Sequence, residues 1–99
     1  MLIIAGTVRV PPERLASAKS AMADMIAASR AEAGCHAYAY AEDVLEPGLI
    51  HVHEVWESRA ALTAHFQTPH IAAWRGRWSE LEISDRRLTL YEVGSAEPI

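Results

Sequence analysis

Several features that would indicate a familiar chemistry are missing from this sequence. Its 99 residues include one cysteine and five dispersed glycines. A single cysteine excludes an intrachain disulfide, so the reducing cytosol is the expected compartment and we predict a cytoplasmic protein. The glycines form no phosphate-binding loop, so no nucleotide or flavin fingerprint can be placed. A G-x-S-x-G nucleophile turn is also missing.

The chain also lacks a basic surplus and long apolar runs. Nine basic and 13 acidic residues give a formal charge of −4, which argues against nucleic acid or an anionic membrane as a partner. No apolar run has the length of a membrane span, and no basic segment precedes the apolar N-terminal residues, so we expect neither a transmembrane helix nor a signal peptide. The length predicts a single domain over residues 1–99, with residues 94–99 as a tail.

The apolar residues are numerous but small. They make up 51% of the chain, yet 18 of them are alanine. Successive residues of the first predicted strand face opposite sides, and both sets are largely apolar: Leu2, Ile4 and Val8, and Ile3, Ala5 and Thr7. A strand that is apolar on both faces belongs to a sheet that is covered on both sides. The predicted helices can cover only one side, so we expect a homodimer.

The spacing of apolar residues alternates along the chain between the periods of strands and helices. An amphipathic helix of about six turns is predicted to begin at Pro12, with Gly34 just after its end. Ser58 is expected to cap a short helix, and Thr68-Pro69 to break it and start the next. The predicted strands are residues 2–10, 35–44, 49–57 and 87–93. The resulting order, β-α-β-β-α-β with a broken second helix, is an α+β arrangement of the ferredoxin-like type.

The third predicted strand carries a carboxylate among apolar residues. Strand alternation puts Ile50, Val52, Glu54 and Trp56 on one face. Desolvation raises the pKa of a carboxyl group unless a donor compensates for it. Glu54 is therefore either a general base or polar anchor in a pocket, or a buried partner of an arginine, a hydroxyl or a charge in a dimer interface.

Histidines supply the remaining titratable candidates. His51 and His53 lie on the opposite face of the same strand with a spacing that suits a metal ion, but no further ligand is identified, and polar residues along a dimer interface explain them better. His65 lies just before the helix break, where it could move a proton near neutral pH or cap the turn at Pro69. His70 is expected to pack or cap. We predict no metal and no cofactor.

Aromatic residues could line a pocket for a planar ligand. Trp74 and Trp78 continue the apolar stripe of the last helix, either as core residues or as the wall of such a pocket. Tyr38 and Tyr40 share a strand face and could donate hydrogen bonds or simply pack. Cys35 is expected to face alanines on the other side of that strand as a small buried apolar residue.

Two ordered segments resemble the antibiotic biosynthesis monooxygenase (ABM) family. Residues 29–38 read S-R-A-E-A-G-C-H-A-Y and resemble its S-R-x-E-x-G-C-x-x-Y segment. Residues 54–58, followed by Ala61-Leu62, His65 and residues 68–70, resemble its E-x-W-x-S, A-L-x-x-H and T-P-H elements. The resemblance spans nearly the whole chain. It implies a ferredoxin-like protomer in a dimeric α+β barrel, with a pocket between the sheet and the helices.

The resemblance also implies a reaction. Well-characterised relatives oxidise quinols or polyketide phenols with O2 and need no metal, flavin or haem. The expected function is therefore the cofactor-independent oxidation of a small phenolic or quinol-type aromatic by O2, in which the substrate supplies the electrons once a base removes its proton. A small-molecule isomerase of the same fold and a non-catalytic ligand-binding or stress-response dimer are the alternatives.

The resemblance assigns roles to individual residues. Trp56 matches a pocket tryptophan, which implies that Val52 and Glu54 line the pocket with it. His65 matches the motif histidine and is the expected proton shuttle, with Glu54 orienting it or balancing its charge. Arg75 or Arg77 is expected to stabilise an oxyanion. The expected catalytic residues are His65, Glu54 and Trp56, and the expected substrate-binding residues are Tyr38, Val52, Phe66, Trp74 and Arg75.

One departure from the family bears on haem. Haem-degrading relatives carry an asparagine in the first strand and a histidine late in the second helix. The corresponding positions here hold Thr7 and Arg75. Neither side chain supplies an axial nitrogen ligand, so haem degradation is not expected.

Overall fold

A four-stranded antiparallel sheet forms the frame of the protein in the computed structural model, which describes residues 1–99. The strands lie in the spatial order β2-β3-β1-β4, and every neighbouring pair is antiparallel. This is the α+β, ferredoxin-like arrangement that the sequence predicts, and it is confirmed. The strands are β1 (Leu2–Arg9), β2 (Cys35–Glu42), β3 (Leu49–Trp56) and β4 (Ser84–Glu92).

The helical segments pack on one face of this sheet. They are α1 (Leu15–Arg30), α2 (Arg59–Phe66), α3 (Pro69–Gly76) and the short α4 (Trp78–Leu81), with a 3₁₀ turn at Pro12–Arg14 before α1. The break at Thr68-Pro69 is the predicted one, whereas a second break at Arg77 was not predicted. None of these helices combines the length and the apolarity needed to cross a bilayer.

Helix α1 ends earlier than the sequence predicts. It stops at Arg30, and Gly34 follows four residues later with φ +81° in the turn that leads into β2. A Cβ atom at Gly34 would lie 2.7 Å from the Cβ of Ala61 in α2. Glycine is therefore needed here both for its backbone angle and for the close approach of α2, rather than as the helix terminus.

The predicted cap Ser58 and the predicted break at Thr68 flank α2. The Ser58 hydroxyl accepts a hydrogen bond from the Ala61 N–H at 3.2 Å, as an N-cap should. The Thr68 hydroxyl makes no cap for α3 and donates instead to the carbonyl oxygen of His65 at 2.7 Å. This bond ties the last turn of α2 to the break, and it fixes the backbone that carries His65.

The core lies between the helices and the facing side of the sheet. The alternation predicted for β3 is observed, since Ile50, Val52, Glu54 and Trp56 are all buried there. Each fully buried aliphatic or aromatic side chain contributes about 1.5–3 kcal/mol through removal of its surface from water. The remaining buried apolar residues are Leu2, Ile4, Val8, Val10, Ala18, Met22, Met25, Tyr38, Leu62, Ile71, Trp74 and Leu81.

A register shift at the start of β2 changes the faces of its first residues. Cys35 pairs with Trp56, but Ala37 pairs with Val55, so His36 is the extra residue of a bulge. Cys35 therefore points toward the core on the same side as Tyr38, and the prediction that it faces alanines was wrong. Burial raises the pKa of the Cys35 thiol above its ordinary value, as expected for a thiol among apolar neighbours.

Strand β4 begins at Ser84, three residues before its predicted start. Glu82 adopts a left-handed conformation with φ 56° and ends α4, and Ser84 already pairs with Arg9 of β1. The earlier start brings Arg86 into the strand, which matters for the site described below.

The other face of the sheet is bare. No element of the chain covers it, and its apolar residues remain only half-buried, among them Ile3, Ala5, Ala39 and Val55. His53 is exposed on the same face, while His51 bonds to Asp43 at 2.8 Å.

Candidate active site

A narrow cleft opens between the sheet and the segment α2 to α4. Most of its walls are aromatic rings, and they leave a free volume of only about 20 Å³, about enough for one water molecule. An aromatic ligand would therefore enter only after these side chains move apart. Flat apolar walls with a few convergent polar groups are typical of sites for small planar molecules. The lining residues are Tyr38, Tyr40, Glu54, His65, Phe66, Ile71, Trp74, Arg75, Trp78 and Arg86.

Most of the residues predicted for the site meet in this cleft. Glu54 and His65 both line it, and Trp74 forms part of its wall. Val52 and Trp56 do not line it, because they lie in the core beneath it with 2% and 0% of their surface exposed. The predicted site residues that do line the cleft are His65, Glu54, Tyr38, Phe66, Trp74 and Arg75. Arg77 lies outside it and pairs with Glu80.

Glu54 is a buried carboxylate with one dedicated donor. The indole Nε1–H of Trp56 donates to its Oε1 at 2.9 Å, since residues i and i+2 of a strand lie side by side on one face. Burial raises the pKa of Glu54 above its ordinary value, and the Trp56 hydrogen bond and the positive charge of Arg86 oppose this rise only in part. A carboxyl group in this position can exchange a proton at a higher pH than one in water.

The raised pKa of Glu54 predicts how stability changes with pH. The folded protein holds this proton more tightly than the unfolded chain, so its contribution to the free energy of unfolding is fully present below the ordinary pKa of 4.5 and is lost as pH rises through the raised value. Glu54→Gln keeps an acceptor for Trp56 and removes the charge. Thermal unfolding followed by circular dichroism should therefore show a higher Tm than wild type at pH 8 and a flatter dependence on pH.

The matched control for that variant is Glu13→Gln, since Glu13 is exposed and makes no ion pair. Its Tm should follow the wild-type curve at every pH. Parallel curves for wild type and Glu54→Gln would show that Glu54 does not gain a proton on folding.

His65 is held by a carboxylate other than the expected one. Its Nδ1 lies 2.6 Å from Oε2 of Glu32, in the turn after α1, whereas Glu54 bonds to Trp56. The expectation that Glu54 orients His65 was therefore wrong. Strand β3 places the Glu54 carboxylate beside the indole of Trp56, and Glu32 holds His65 instead. A positive charge on His65 would favour the charged form of Glu54 across the cleft.

The contact with Glu32 also determines the tautomer of His65. A carboxylate oxygen only accepts hydrogen bonds, so the proton of the neutral ring must be on Nδ1. The lone pair is then on Nε2, the nitrogen left for a molecule in the cleft. The ring is 2% exposed and is confined by Trp56 and Tyr38, whose ring centroids lie 4.5 and 5.4 Å from its own.

The same oxygen of Glu32 binds a second histidine. Nε2 of His70 lies 2.8 Å from it, and the side chain of His70 is 22% exposed. On its other side His70 lines a separate groove between α1 and α3. A chain of hydrogen-bonding groups therefore runs from the cleft through His65, Glu32 and His70 to solvent.

These three residues are also the ones that could hold a metal ion. Their ligand atoms lie within 4.8 Å of one another, and two histidines with one carboxylate is a ligand set known for transition metals. The two contacts to Glu32 have the lengths of hydrogen bonds. His51 and His53, the pair that the sequence suggested, belong to no such cluster.

The two tyrosines of β2 supply hydroxyl groups to the same cleft. Their rings stack with centroids 5.9 Å apart. Burial raises the pKa of both Tyr38 and Tyr40 above the ordinary value, and the nearby Glu54 carboxylate adds to the effect. Both hydroxyls therefore stay protonated near neutral pH.

Sequence reasoning missed several residues of the site. Glu32 is one of the matched residues in the segment 29–38, and His70 is one of those in the T-P-H element. The family motifs therefore indicated that both residues have a role. Nothing in the sequence indicated that they would share one oxygen atom. Arg86 had no signal, since it precedes the predicted start of β4.

Comparison with known proteins places the chain in a family. The model of the antibiotic biosynthesis monooxygenase (ABM) family matches residues 1–77. The match covers more than half of the chain, and the protein belongs to the ABM family.

Solved structures and a curated relative are similar to this chain. A Deinococcus radiodurans protein, described as a candidate antibiotic biosynthesis monooxygenase, is 29% identical, with a TM-score of 0.92 over 100% of this chain and 98% of that one. A Bacteroides thetaiotaomicron protein of unknown function, described as a candidate oxidoreductase, is 28% identical, with a TM-score of 0.83 over 93% of this chain and 96% of that one. An uncharacterized Synechocystis protein is 29% identical over 98 residues, which cover 99% of this chain and 67% of that protein.

Proposed function

We propose that this protein is a cofactor-independent monooxygenase that oxidises a small phenolic or quinol-type aromatic with O2. The observation that carries the proposal is the placement of His65. Its Nδ1–H is held by Glu32, and its ring lines an aromatic cleft. A base with a fixed tautomer beside flat apolar walls is what the deprotonation of a phenol requires.

The first step is a proton transfer. Nε2 of His65 takes the phenolic proton, and the ring then carries a positive charge that Glu32 stabilises through Nδ1–H. A carboxylate in this position acts in the same way on the histidine of hydrolase triads. The chain from Glu32 to His70 gives the proton a route to the solvent groove.

The electrons then come from the substrate itself. The quinolate reduces O2, the carbon–oxygen bond forms on the ring, and loss of water from the resulting hydroperoxide gives the product. One molecule of a benzene-1,4-diol and one of O2 thus give one molecule of the ring-hydroxylated quinone and one of water. One oxygen atom enters the ring, the other becomes water, and the substrate gives up four electrons, so no external reductant is consumed.

Other residues of the cleft position the substrate and exclude water. Tyr38, Phe66 and Trp74 offer faces for the ring, and the hydroxyl of Tyr38 can donate to an oxygen of the substrate. Arg75 can stabilise an oxyanion. Glu54 acts as a proton donor or acceptor at the sheet side, and Trp56 is a positioning residue that acts through its hydrogen bond to Glu54.

A second candidate function rests on the pairing of Glu54 with His65. A base and a carboxyl group of raised pKa that line one cleft could take a proton from one atom of a substrate and return it to another. This chemistry would make the protein a small-molecule isomerase, which consumes no O2.

Oxygen uptake separates these functions. Protein stripped of metal with a chelator is mixed with a panel of one- and two-ring quinols, and O2 consumption and product mass are followed with ¹⁸O2. We expect uptake above the uncatalysed rate and one ¹⁸O atom per product. Exchange of substrate hydrogen with D2O without uptake would favour the isomerase. Uptake only after addition of a metal ion, or neither reaction, would contradict the proposal.

The same proposal includes a homodimer. The bare face of the sheet supports it, because half-buried Ile3 and Val55 would otherwise stay in water. Packing two such faces would form the barrel that the family resemblance implies and would cover both sides of the sheet. Analytical ultracentrifugation should give about twice the protomer mass of 10.9 kDa, and a monomer at micromolar concentration would contradict it.

A further inference from the structure

Two arginines of this protein make neither an ion pair nor a hydrogen bond. Of the nine basic side chains, six lie within 4.0 Å of a carboxylate, namely Arg9, Arg14, Lys19, Arg59, Arg77 and Arg87. Arg30 donates to the carbonyl oxygen of Tyr38 at 2.8 Å. Arg75 and Arg86 remain, and both line the cleft. The chain has more acidic than basic residues. A shortage of carboxylates therefore does not explain why these two arginines stay unpaired.

Aromatic rings hold both guanidinium groups in place. The Cζ atom of Arg75 lies 5.3 Å from the ring centroid of Phe66 and 6.0 Å from that of Trp78, and the Cζ atom of Arg86 lies 5.6 Å from the Trp78 centroid. A guanidinium over an aromatic face is held by its flat side, and its N–H edge stays available. The two arginines therefore flank one indole with their donor edges uncommitted.

The indole between them also lacks a partner. Trp78 Nε1 is a buried polar side-chain atom without a hydrogen bond, and no other such atom occurs in the protein. A buried donor that stays unsatisfied destabilises the fold, so native proteins rarely keep one without a reason. Trp78 lines the cleft, and a bound acceptor could remove this cost.

We infer that the Arg75, Trp78 and Arg86 end of the cleft binds the carboxylate of an aromatic acid. A carboxylate is a planar acceptor that fits the guanidinium fork and can also take the indole N–H. Glu54 does not supply this group from within the chain, because its Oε1 is held by Trp56, and the charge of Arg86 acts on it without a direct contact. The inference rests on the proposed function for the phenolic half of the ligand, which would lie toward His65.

The test compares two ligands of nearly equal shape, 2,5-dihydroxybenzoate and 2,5-dihydroxybenzamide. Calorimetry without O2 measures the binding of each at pH 7.5, and inorganic phosphate is the competitor. The acid should bind at least about tenfold more tightly than the amide, since hydrogen bonds between charged groups are stronger than those between a guanidinium and a neutral amide. Phosphate should compete weakly, because it gains nothing from the aromatic walls.

Three variants assign the effect to the named residues. Arg75→Gln and Arg86→Gln should each reduce the preference for the acid, and Trp78→Phe should weaken binding of the acid while keeping the aromatic ring. Arg14→Gln is the matched control, because it removes the same charge from a residue that pairs with Glu82 outside the cleft. It should leave the preference unchanged.

Equal affinity for acid and amide, binding of neither, an unchanged preference in both cleft variants, or equal competition by phosphate would overturn the inference. Turnover of a neutral quinol without a preference for the acid would leave the proposed function standing and this inference refuted. Tight binding of the acid without O2 consumption would leave this inference standing and refute the proposed function.

Discussion

Replacing His65 with alanine should lower the rate of quinol-dependent O2 consumption by about 10²–10⁴-fold, the usual contribution of a positioned acid–base group. The variant keeps the aromatic walls but loses the lone pair at Nε2, so the substrate must lose its proton to water. The loss should appear in kcat, since the ring is expected to act on the reacting proton rather than on substrate affinity. An oxygen electrode with saturating quinol measures it.

Two further variants test the interpretation of this result. His36→Ala removes an exposed histidine from the bulge of β2 and should keep the wild-type rate. Glu32→Gln keeps the shape of the side chain but no longer stabilises a charged His65, so its rate should fall between those of wild type and His65→Ala. Thermal unfolding establishes that each variant is folded at the assay temperature. Turnover of His65→Ala at the wild-type rate would refute the assignment of the base.

Replacing Trp56 with alanine should lower the free energy of unfolding by about 3–5 kcal/mol, the range for truncation of a buried aromatic residue. Trp56 has no exposed surface, and its ring packs against Tyr38 and His65. The substitution would also leave Oε1 of Glu54 without its donor. Natural domains unfold with about 5–15 kcal/mol in total, so this one change would remove a large part of the stability. Urea denaturation at pH 7 measures it.

The more conservative Trp56→Phe separates packing from hydrogen bonding. It keeps most of the ring volume and removes the Nε1–H donor, so its loss should be smaller, about 1–3 kcal/mol for a buried acceptor left unsatisfied. Phe66→Ala is the control for truncation of an aromatic side chain, because Phe66 is 42% exposed. A Trp56→Ala protein no less stable than Phe66→Ala would mean that the indole is not central to the core.

Local patterns accounted for the fold. Alternation along β3 gave the buried set that includes Glu54, and Ser58 and Thr68-Pro69 marked the start and the break of the second helical segment. These signals act over a few residues, so they are readable without tertiary structure. The errors were local as well: a bulge reversed the direction of Cys35, and Gly34 served a close approach to α2 instead of ending α1.

The site could be predicted only in part for a different reason. His65 and Glu54 were visible as unusual residues in apolar patterns. The contact between Glu32 and His65 joins positions 33 residues apart, and no period of the sequence encodes such a distance. Which carboxylate meets His65 depended on the turn after α1 and on the packing of α2, and both are tertiary facts. Arg86 was missed because α4 ends at Glu82, in a left-handed conformation, and β4 then begins at Ser84, earlier than predicted.

The unpaired arginines of the cleft have a consequence for how small molecules reach it. The protein as a whole carries a formal charge of −4, but at physiological ionic strength a charge is felt over only about 8 Å. A small anion near the cleft therefore senses the exposed Arg75 and Arg86, together with the buried Glu54, rather than the acidic residues farther away. Local positive potential of this kind concentrates anions and speeds their association in a manner that salt suppresses. The sign of the charge at the mouth of the cleft, rather than the net charge of the protein, determines which small ions are concentrated there.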